Sequence, residues 1–252
     1  MEQAGGHDAS MQARCKRCGD RLNAGDEAFA CLHACTYCAP CTQALRFRCP
    51  NCGGMLLDRR RAAIVAATPT EAHAVCTYAP FVHVCETGVG LSKNRGPFGE
   101  IVVSCGLAGG LRSDVRSGTV LVPREVRRPD GRTLRCDAEL AGKLESAARR
   151  LGFEPVLDPM LTSETLVNGS QRERWALQGF AGVDMETGLL EASRVAAIRV
   201  VLDTPQRELS SDWMNPLRAL LRPRNWPQAF WLARIAPLYA RRAAAIVAAS
   251  GV

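Results

Sequence analysis

Apolar residues come in short runs over the middle of the chain and at helical spacing toward its end. Between residues 62 and 204 the runs 63–67, 81–85, 101–105, 120–122, 180–185 and 198–202 each stop at turn-forming residues, the pattern of buried strands. Between some of them the period changes. Leu140, Leu144, Ala147, Ala148 and Leu151 recur at intervals of three and four, and Gly152 stops that helix. Alternating strands and helices predict an α/β domain over 62–204, a central sheet with flanking helices and ligands gathered outside the carboxyl ends of the strands. Residues 205–252 read as a helical tail that packs on this domain. Asn225 would cap a helix with Pro227 in its first turn, Phe230, Trp231, Arg234, Ile235 and Leu238 would form its apolar stripe, and Pro237 would kink it.

The first sixty residues follow another logic. Residues 1–13 read as a flexible terminus, 14–60 as a cysteine module, and Asp58 with three following arginines marks the seam. The module spaces its sulfurs as Cys15-x2-Cys18-x12-Cys31-x3-Cys35-x2-Cys38-x2-Cys41-x7-Cys49-x2-Cys52. Four ligand pairs supply two tetrahedral sites, and so short a segment needs such staples to fold, so two structural zinc ions are expected. All-sulfur sites leave no open position for substrate, which points to scaffold or docking rather than catalysis. His33 could compete with Cys35 but finds every position filled by sulfur. Cys76, Cys85, Cys105 and Cys136 lack paired spacing and read as small core residues.

Composition narrows the rest. The 252 residues are 47% hydrophobic and 23% charged, enough apolar material for a real core. No apolar run approaches the ~20 residues of a membrane helix, and the first fourteen residues carry no apolar signal segment, so a cytoplasmic protein is expected. A formal charge of +7 suits RNA, anionic lipid or a phosphorylated ligand without choosing among them. In the module Arg14, Lys16, Arg17 and Arg21 are offset by Asp20, Asp26 and Glu27, so a nucleic-acid partner is not expected. The basic, aromatic tail is a candidate for peripheral membrane contact.

Three resemblances add to this reading. The order of cysteine pairs resembles the cross-brace of RING-type fingers, which would group Cys15, Cys18, Cys38 and Cys41 on one ion and Cys31, Cys35, Cys49 and Cys52 on the other; a sequential pairing also fits the spacing. Residues 14–60 as a whole resemble a small bacterial cysteine-rich family of unknown function. Farther on, Gly106-Leu-Ala-Gly-Gly-Leu, Gly118-Thr-Val-Leu-Val-Pro and above all Gly182-Val-Asp-Met-Glu-Thr resemble the nucleoside phosphorylase and nucleosidase superfamily, nearest to its hopanoid-associated branch, from residue 62 onward.

That resemblance implies cleavage of the N-glycosidic bond of an adenosine-type nucleoside, adenosylhopane being one candidate, in a homo-oligomer. Asp203 would protonate the leaving purine, a task that needs a carboxyl raised by burial. Glu186 would hold both ribose hydroxyls with Met185 under the sugar, and Glu71 would orient or deprotonate the attacking water. Gly88, Gly90, Gly106, Ala108 and Gly109 would let backbone approach the substrate. The loop from Thr68 to Glu71 has no arginine for phosphate, which favours water as the nucleophile; Arg95 and Arg112 are the cations left to serve phosphate as co-substrate. No further cofactor is implied.

Against the family pattern, 91–100 is too short and too rich in Gly and Pro for the usual helix, and 187–194 leaves room for about two turns. The sheet face beneath would then need a partner subunit, the zinc module or the tail as cover. A non-catalytic nucleoside binder or docking protein on the same fold is the alternative.

Overall fold

The computed structural model describes residues 13–22, 26–31, 35–58, 62–79, 82–214 and 216–252. His33, the arginine seam at 59–61 and all but Ala13 of the expected flexible terminus lie outside the described residues. The chain divides into two compact units, Met1–Arg60 and Arg61–Val252.

In the smaller unit, strand Ala28–Ala30 pairs antiparallel with Thr36–Cys38 on one side and Leu57–Asp58 on the other, and a helix, Ala39–Ala44, starts directly from Cys38. Its buried core is Cys15, Leu22, Ala28, Cys31, Tyr37, Cys49 and Leu56. Three of these seven are cysteines.

The larger unit is α/β with a mixed sheet. In chain order its elements are β1 (Ala63–Ala66), α1 (Pro69–Tyr78), β2 (His83–Glu86), β3 (Ile101–Gly110), β4 (Val120–Leu121), β5 (Glu125–Arg127), β6 (Thr133–Arg135), α2 (Ala138–Arg150), β7 (Met160–Thr162), α3 (Ser170–Leu177), β8 (Gly182–Asp184), β9 (Arg194–Asp203), α4 (Pro216–Leu220) and α5 (Trp226–Ser250). The sheet is organised by β3. Its first half runs parallel to β1, its last residues pair antiparallel with β8, and its whole length runs parallel to β9. Beyond β1 lies β2, beyond β8 lie β7, β5 and β6 in turn, and β4 closes the far edge against β9.

Strict alternation sorts the strand residues onto two buried faces. Ile64, Val103, Ala196, Ile198 and Val200 face a core completed by α1, α2 and α5. Ala63, Val65, Val102 and Val195 face the other way, where helices are missing, and are covered by Leu91, Phe98 and Leu190. The two short connections expected to leave this face open therefore close it with their own apolar side chains. The second connection holds a single 3-10 turn, Thr187–Leu189, instead of about two helical turns.

The helix ends follow local chemistry. Asp137 caps α2 by accepting from the Leu140 N–H at 3.0 Å, and arginines 149 and 150 occupy its last turn. The tail departs from expectation at its cap and at its buried face. Asn225 stands at the N-cap position of α5 but donates its amide to Asp212 and to the Ala219 carbonyl instead of capping. This helix has Pro237 inside it, at the place where the kink is expected. Its buried face is Ala240, Ala243, Ala244, Ile246 and Val247, whereas Phe230 and Leu238 are exposed. Small residues win this face because β3, β9, α1 and α2 all meet α5 there. Of the single cysteines, Cys85 and Cys105 are buried and Cys136 is partly so, but Cys76 is exposed and belongs to no core.

This close approach gives a test. Ala244→Leu forces about three extra heavy atoms into a filled seam and should cost about 1–3 kcal/mol in urea unfolding, with no such loss for the exposed Ala248→Leu.

Candidate functional site

A cavity of about 510 Å³ opens at the carboxyl ends of β1, β2, β8 and β9, beside the end of β3. Glu71, Gly88, Ala108, Gly109, Met185, Glu186 and Asp203 all line it. Residues 132 positions apart along the chain thus meet at one opening of a size suited to a small molecule.

Glu71 is third in α1, and its position is set by a capping box. Its Oε2 accepts from the Thr68 N–H at 2.9 Å and the Thr68 hydroxyl at 2.8 Å, while the Glu71 N–H donates back to that hydroxyl. Oε1 accepts from the Leu107 N–H on β3 at 2.7 Å. A carboxylate oxygen has two acceptor positions, so one remains on Oε1. Gly106 and Gly90 do not line the cavity. A side chain at Gly106 would put Cβ 2.3 Å from Glu71 Oε1 and 2.6 Å from an Arg199 nitrogen, so this glycine makes room for the acid instead of for a ligand. Gly90 donates its N–H to Glu186 Oε1 at 3.1 Å.

Glu186 and Asp184 flank Met185 at the end of β8. Arg199, fully buried on β9, ties them together: its Nη2 lies 2.8 Å from Asp184 Oδ2 and 3.4 Å from Glu186 Oε2, and also donates to the hydroxyls of Ser104 and Thr187. Asp184 further accepts from Thr162 at 2.6 Å and from the Thr187 N–H at 3.2 Å. The charge balance is uneven. Glu71, Asp184 and Glu186 are all buried around one guanidinium, whose Nε has no hydrogen-bond partner among the described residues. Burial pushes the Glu186 carboxyl up to about 7, and Arg199 pulls against it while Asp184 adds to the rise.

Asp203 ends β9 at a bulge. Val201 pairs with Ala108 and Asp203 with Gly109, leaving Leu202 as the extra residue. Burial raises the Asp203 carboxyl, opposed by the guanidinium of Arg172, to which its Oδ2 is bonded. Arg172, third in α3 and also lining the cavity, is held by the carbonyls of Val167 and Gly110 and stands 3.2 Å from Glu208. Arg112 instead pairs with Asp114 and with Asp158 at 2.6 Å, and neither it nor Arg95 lines the cavity, where the cations are Lys93 and Arg172.

Neither Arg172 nor Arg199 was singled out by the sequence pattern. For Arg199 the signal existed: a lone arginine inside a run of strand-buried residues must have a buried counter-charge. Arg172 sits in an ordinary polar helix and gave none.

In the smaller unit the sulfurs of Cys15, Cys18, Cys38 and Cys41 lie within 4.8 Å of one another, and so do those of Cys31, Cys49 and Cys52. These groups follow the cross-brace. Cys18 and Cys38 sulfurs stand 3.7 Å apart, close to the roughly 3.8 Å edge of a tetrahedron of thiolates about 2.3 Å from zinc. Cys35, the remaining member of the second set, accepts from the Asn51 amide at 3.5 Å and lies outside the tight trio. Two turns of one shape present the outer pairs: Gly19 donates its N–H to the Cys15 carbonyl at 2.9 Å and Gly53 to that of Cys49 at 2.8 Å, each glycine at positive φ. Against the upward push of burial, backbone N–H groups of Cys18, Cys38 and Arg17 pull the Cys15 thiol down to about 6, and those of Asn51 and Cys52 do the same for Cys49. Such donors favour thiolate, the form a metal binds.

A family described as a protein of unknown function (DUF1272) matches residues 9–62. No curated protein matches the chain. Among solved structures, 5′-methylthioadenosine/S-adenosylhomocysteine nucleosidase from Neisseria meningitidis with methylthio-immucillin-A is 15% identical at a TM-score of 0.59, covering 76% of this chain and 98% of its own. A mutant Helicobacter pylori enzyme of that type, holding 5′-methylthioadenosine in its active site, is 11% identical at 0.57, covering 75% and 97%. Futalosine hydrolase of Helicobacter pylori is 10% identical at 0.56, covering 75% and 96%. The larger unit has the nucleosidase fold.

Within this nucleosidase fold the Arg199 cluster is structural as well as chemical. Arg199→Met leaves Asp184 and Glu186 buried without their counter-charge and should lower stability by about 3–5 kcal/mol at pH 8, read from urea unfolding. The deficit should shrink at pH 5, where Glu186 is protonated in the fold.

Proposed function

We propose that the larger unit cleaves the N-glycosidic bond of an adenosine-type nucleoside, with water as the attacking group. The observation that supports this best is the convergence of Glu71, Met185, Glu186 and Asp203 on one cavity. Departure of a purine builds positive charge on the ribose and negative charge on the base. At the sugar end, three carboxyls around one guanidinium hold an excess of negative charge where the cation develops. Glu186, as carboxylate, accepts from the two ribose hydroxyls, and Met185 packs under the ring. The free acceptor position of Glu71 Oε1 takes the proton of the attacking water as its oxygen bonds to C1′. At the base end stands Asp203, which acts on the purine as acid when protonated and as acceptor when ionised.

Water is favoured over phosphate because Lys93 is already paired with Glu86 and Arg172 with Asp203, leaving the sugar end acidic. Nucleosidases of this fold carry 5′-methylthioadenosine and S-adenosylhomocysteine in their names, so 6-aminopurine nucleosides come first as substrates; adenosylhopane follows from the sequence resemblance. The reading as a non-catalytic binder draws on one observation, the guanidinium bonded to Asp203, which disfavours the protonated acid. In the smaller unit the two cysteine sets hold structural zinc, with Cys35 as the fourth ligand of the second.

Adenosine, methylthioadenosine and adenosylhopane, each with and without phosphate, should separate these readings by release of adenine. Release independent of phosphate is expected, lost by a factor of about 10²–10³ or more in Glu186→Gln. Because Glu186 must be ionised, kcat/KM should fall as pH drops below about 7. No release from any of the three counts against cleavage and favours the binder.

Metal content tests the smaller unit. Two zinc ions per chain are expected by elemental analysis, one each lost in Cys15→Ser and Cys49→Ser. The ligands bind as thiolates, so acidification should release the zinc from both sets, read by elemental analysis after desalting at stepwise lower pH.

A further inference from the structure

The base end of the cavity carries a group that N-glycosidic cleavage by carboxyls alone does not call for, the buried guanidinium of Arg172. Its Nε faces the Val167 carbonyl and Glu208, one Nη1 hydrogen is used by the Gly110 carbonyl and one Nη2 hydrogen by Asp203 Oδ2. An arginine has five such hydrogens, so one remains on each Nη. Asp203 accepts through Oδ2 from Arg172 and, at 3.5 Å, from the Leu209 N–H. Its Oδ1 has no bond among the described residues. Both free positions border one space. A Cβ built on Gly109 would lie 3.1 Å from Asp203 Oδ1 and 3.5 Å from Arg172 Nη2, and Gly109 has none. The cavity wall there is a donor beside an acceptor, with the apolar side chains of Val183, Leu166 and Val167 lining the same cavity.

We propose that Arg172 is the residue that binds purine N7, with the ionised Asp203 Oδ1 taking a hydrogen from the exocyclic 6-amine. Resting on the nucleosidase reading above, this assigns the base: adenine presents N7 as acceptor and its amine as donor on one edge, whereas a 6-oxopurine presents two acceptors. The oxygen of a 6-oxopurine would face the Asp203 carboxylate with no proton between them. Protonation of Asp203 would remove the charge nearest a buried guanidinium, leaving only the half-buried Glu208 to balance it, so the pair is held as ions. When the C1′–N9 bond breaks, its electron pair passes to the base and the charge gathering at N7 meets a permanent cation. The attacking water gives its oxygen to C1′ and a proton to Glu71, and the departed base takes its proton from solvent. Arg172 loses none.

Calorimetry on the whole 252-residue chain with free bases tests this whether or not any nucleoside is cleaved. Wild type should bind adenine about tenfold or more tighter than hypoxanthine, and about tenfold or more tighter than 7-deazaadenine, which lacks the N7 acceptor. Adenine affinity should stay level from pH 6 to pH 9, because the donor is a guanidinium. Arg172→Gln and Arg172→Lys should each lose the preference for adenine over 7-deazaadenine, and Asp203→Asn should shift the balance toward hypoxanthine. Equal binding of adenine and 7-deazaadenine by wild type, which needs no variant to fold, overturns the assignment. So does affinity for adenine that falls as pH rises through this range, since that marks a protonated Asp203 as the partner of N7. Adenine bound in the expected pattern without adenine release from nucleosides defeats the catalytic reading and leaves Arg172 in place.

Discussion

One guanidinium serves three buried carboxyl groups, and the cavity takes its character from that shortfall. Arg199 reaches Asp184 and Glu186 through a single nitrogen and lies beside Glu71 across Gly106. Asp184 is the most fully satisfied of the three, with Thr162 and Thr187 as further donors, so it keeps the loop of the motif in place. Glu186 is the least satisfied and rises to about 7. The group that bears most of the cost of burial is thus one that lines the cavity, where a positive charge arriving with a substrate would relieve it.

The strands bring these groups together because β3 changes partners along its length. Paired with β1 over its first half and with β8 at its end, it lets the ends of two strands approach one opening. The bulge in β9 completes the set. Simple alternation would place Asp203 opposite Gly110, and the extra Leu202 moves it back to Gly109, which lines the cavity.

Much of this was legible in residue order. Strand runs with a terminal acid or glycine pointed to the sheet and the rim, and the cysteine spacing to eight ligands, whose grouping came from the RING-type resemblance. What escaped depended on partners distant in sequence. Leu91, Phe98 and Leu190 read as loop residues, yet they close the sheet face that the lost helices would have covered. Phe230 and Leu238 read as the buried stripe of the tail, but alanines later in the same helix pack closer to the strands and take the core. The bulge at Leu202 and the reach of Arg172 across to Asp203 have no local signature, since each is decided by register and by a contact 31 residues away.

Glu71 shows why a structural and a chemical role need not compete. A helix cap and a water-orienting carboxylate call for the same thing, an acid fixed in rotation at the first turn. The capping box saturates Oε2 through Thr68, and Leu107 takes half of Oε1, so what is left over is one acceptor position aimed from a rigid frame. A solvent-exposed glutamate would have to lose side-chain entropy each time it held a water in place; here that ordering is done by folding. The same bonds that make Glu71 look like an ordinary cap are the ones that let it act on a substrate.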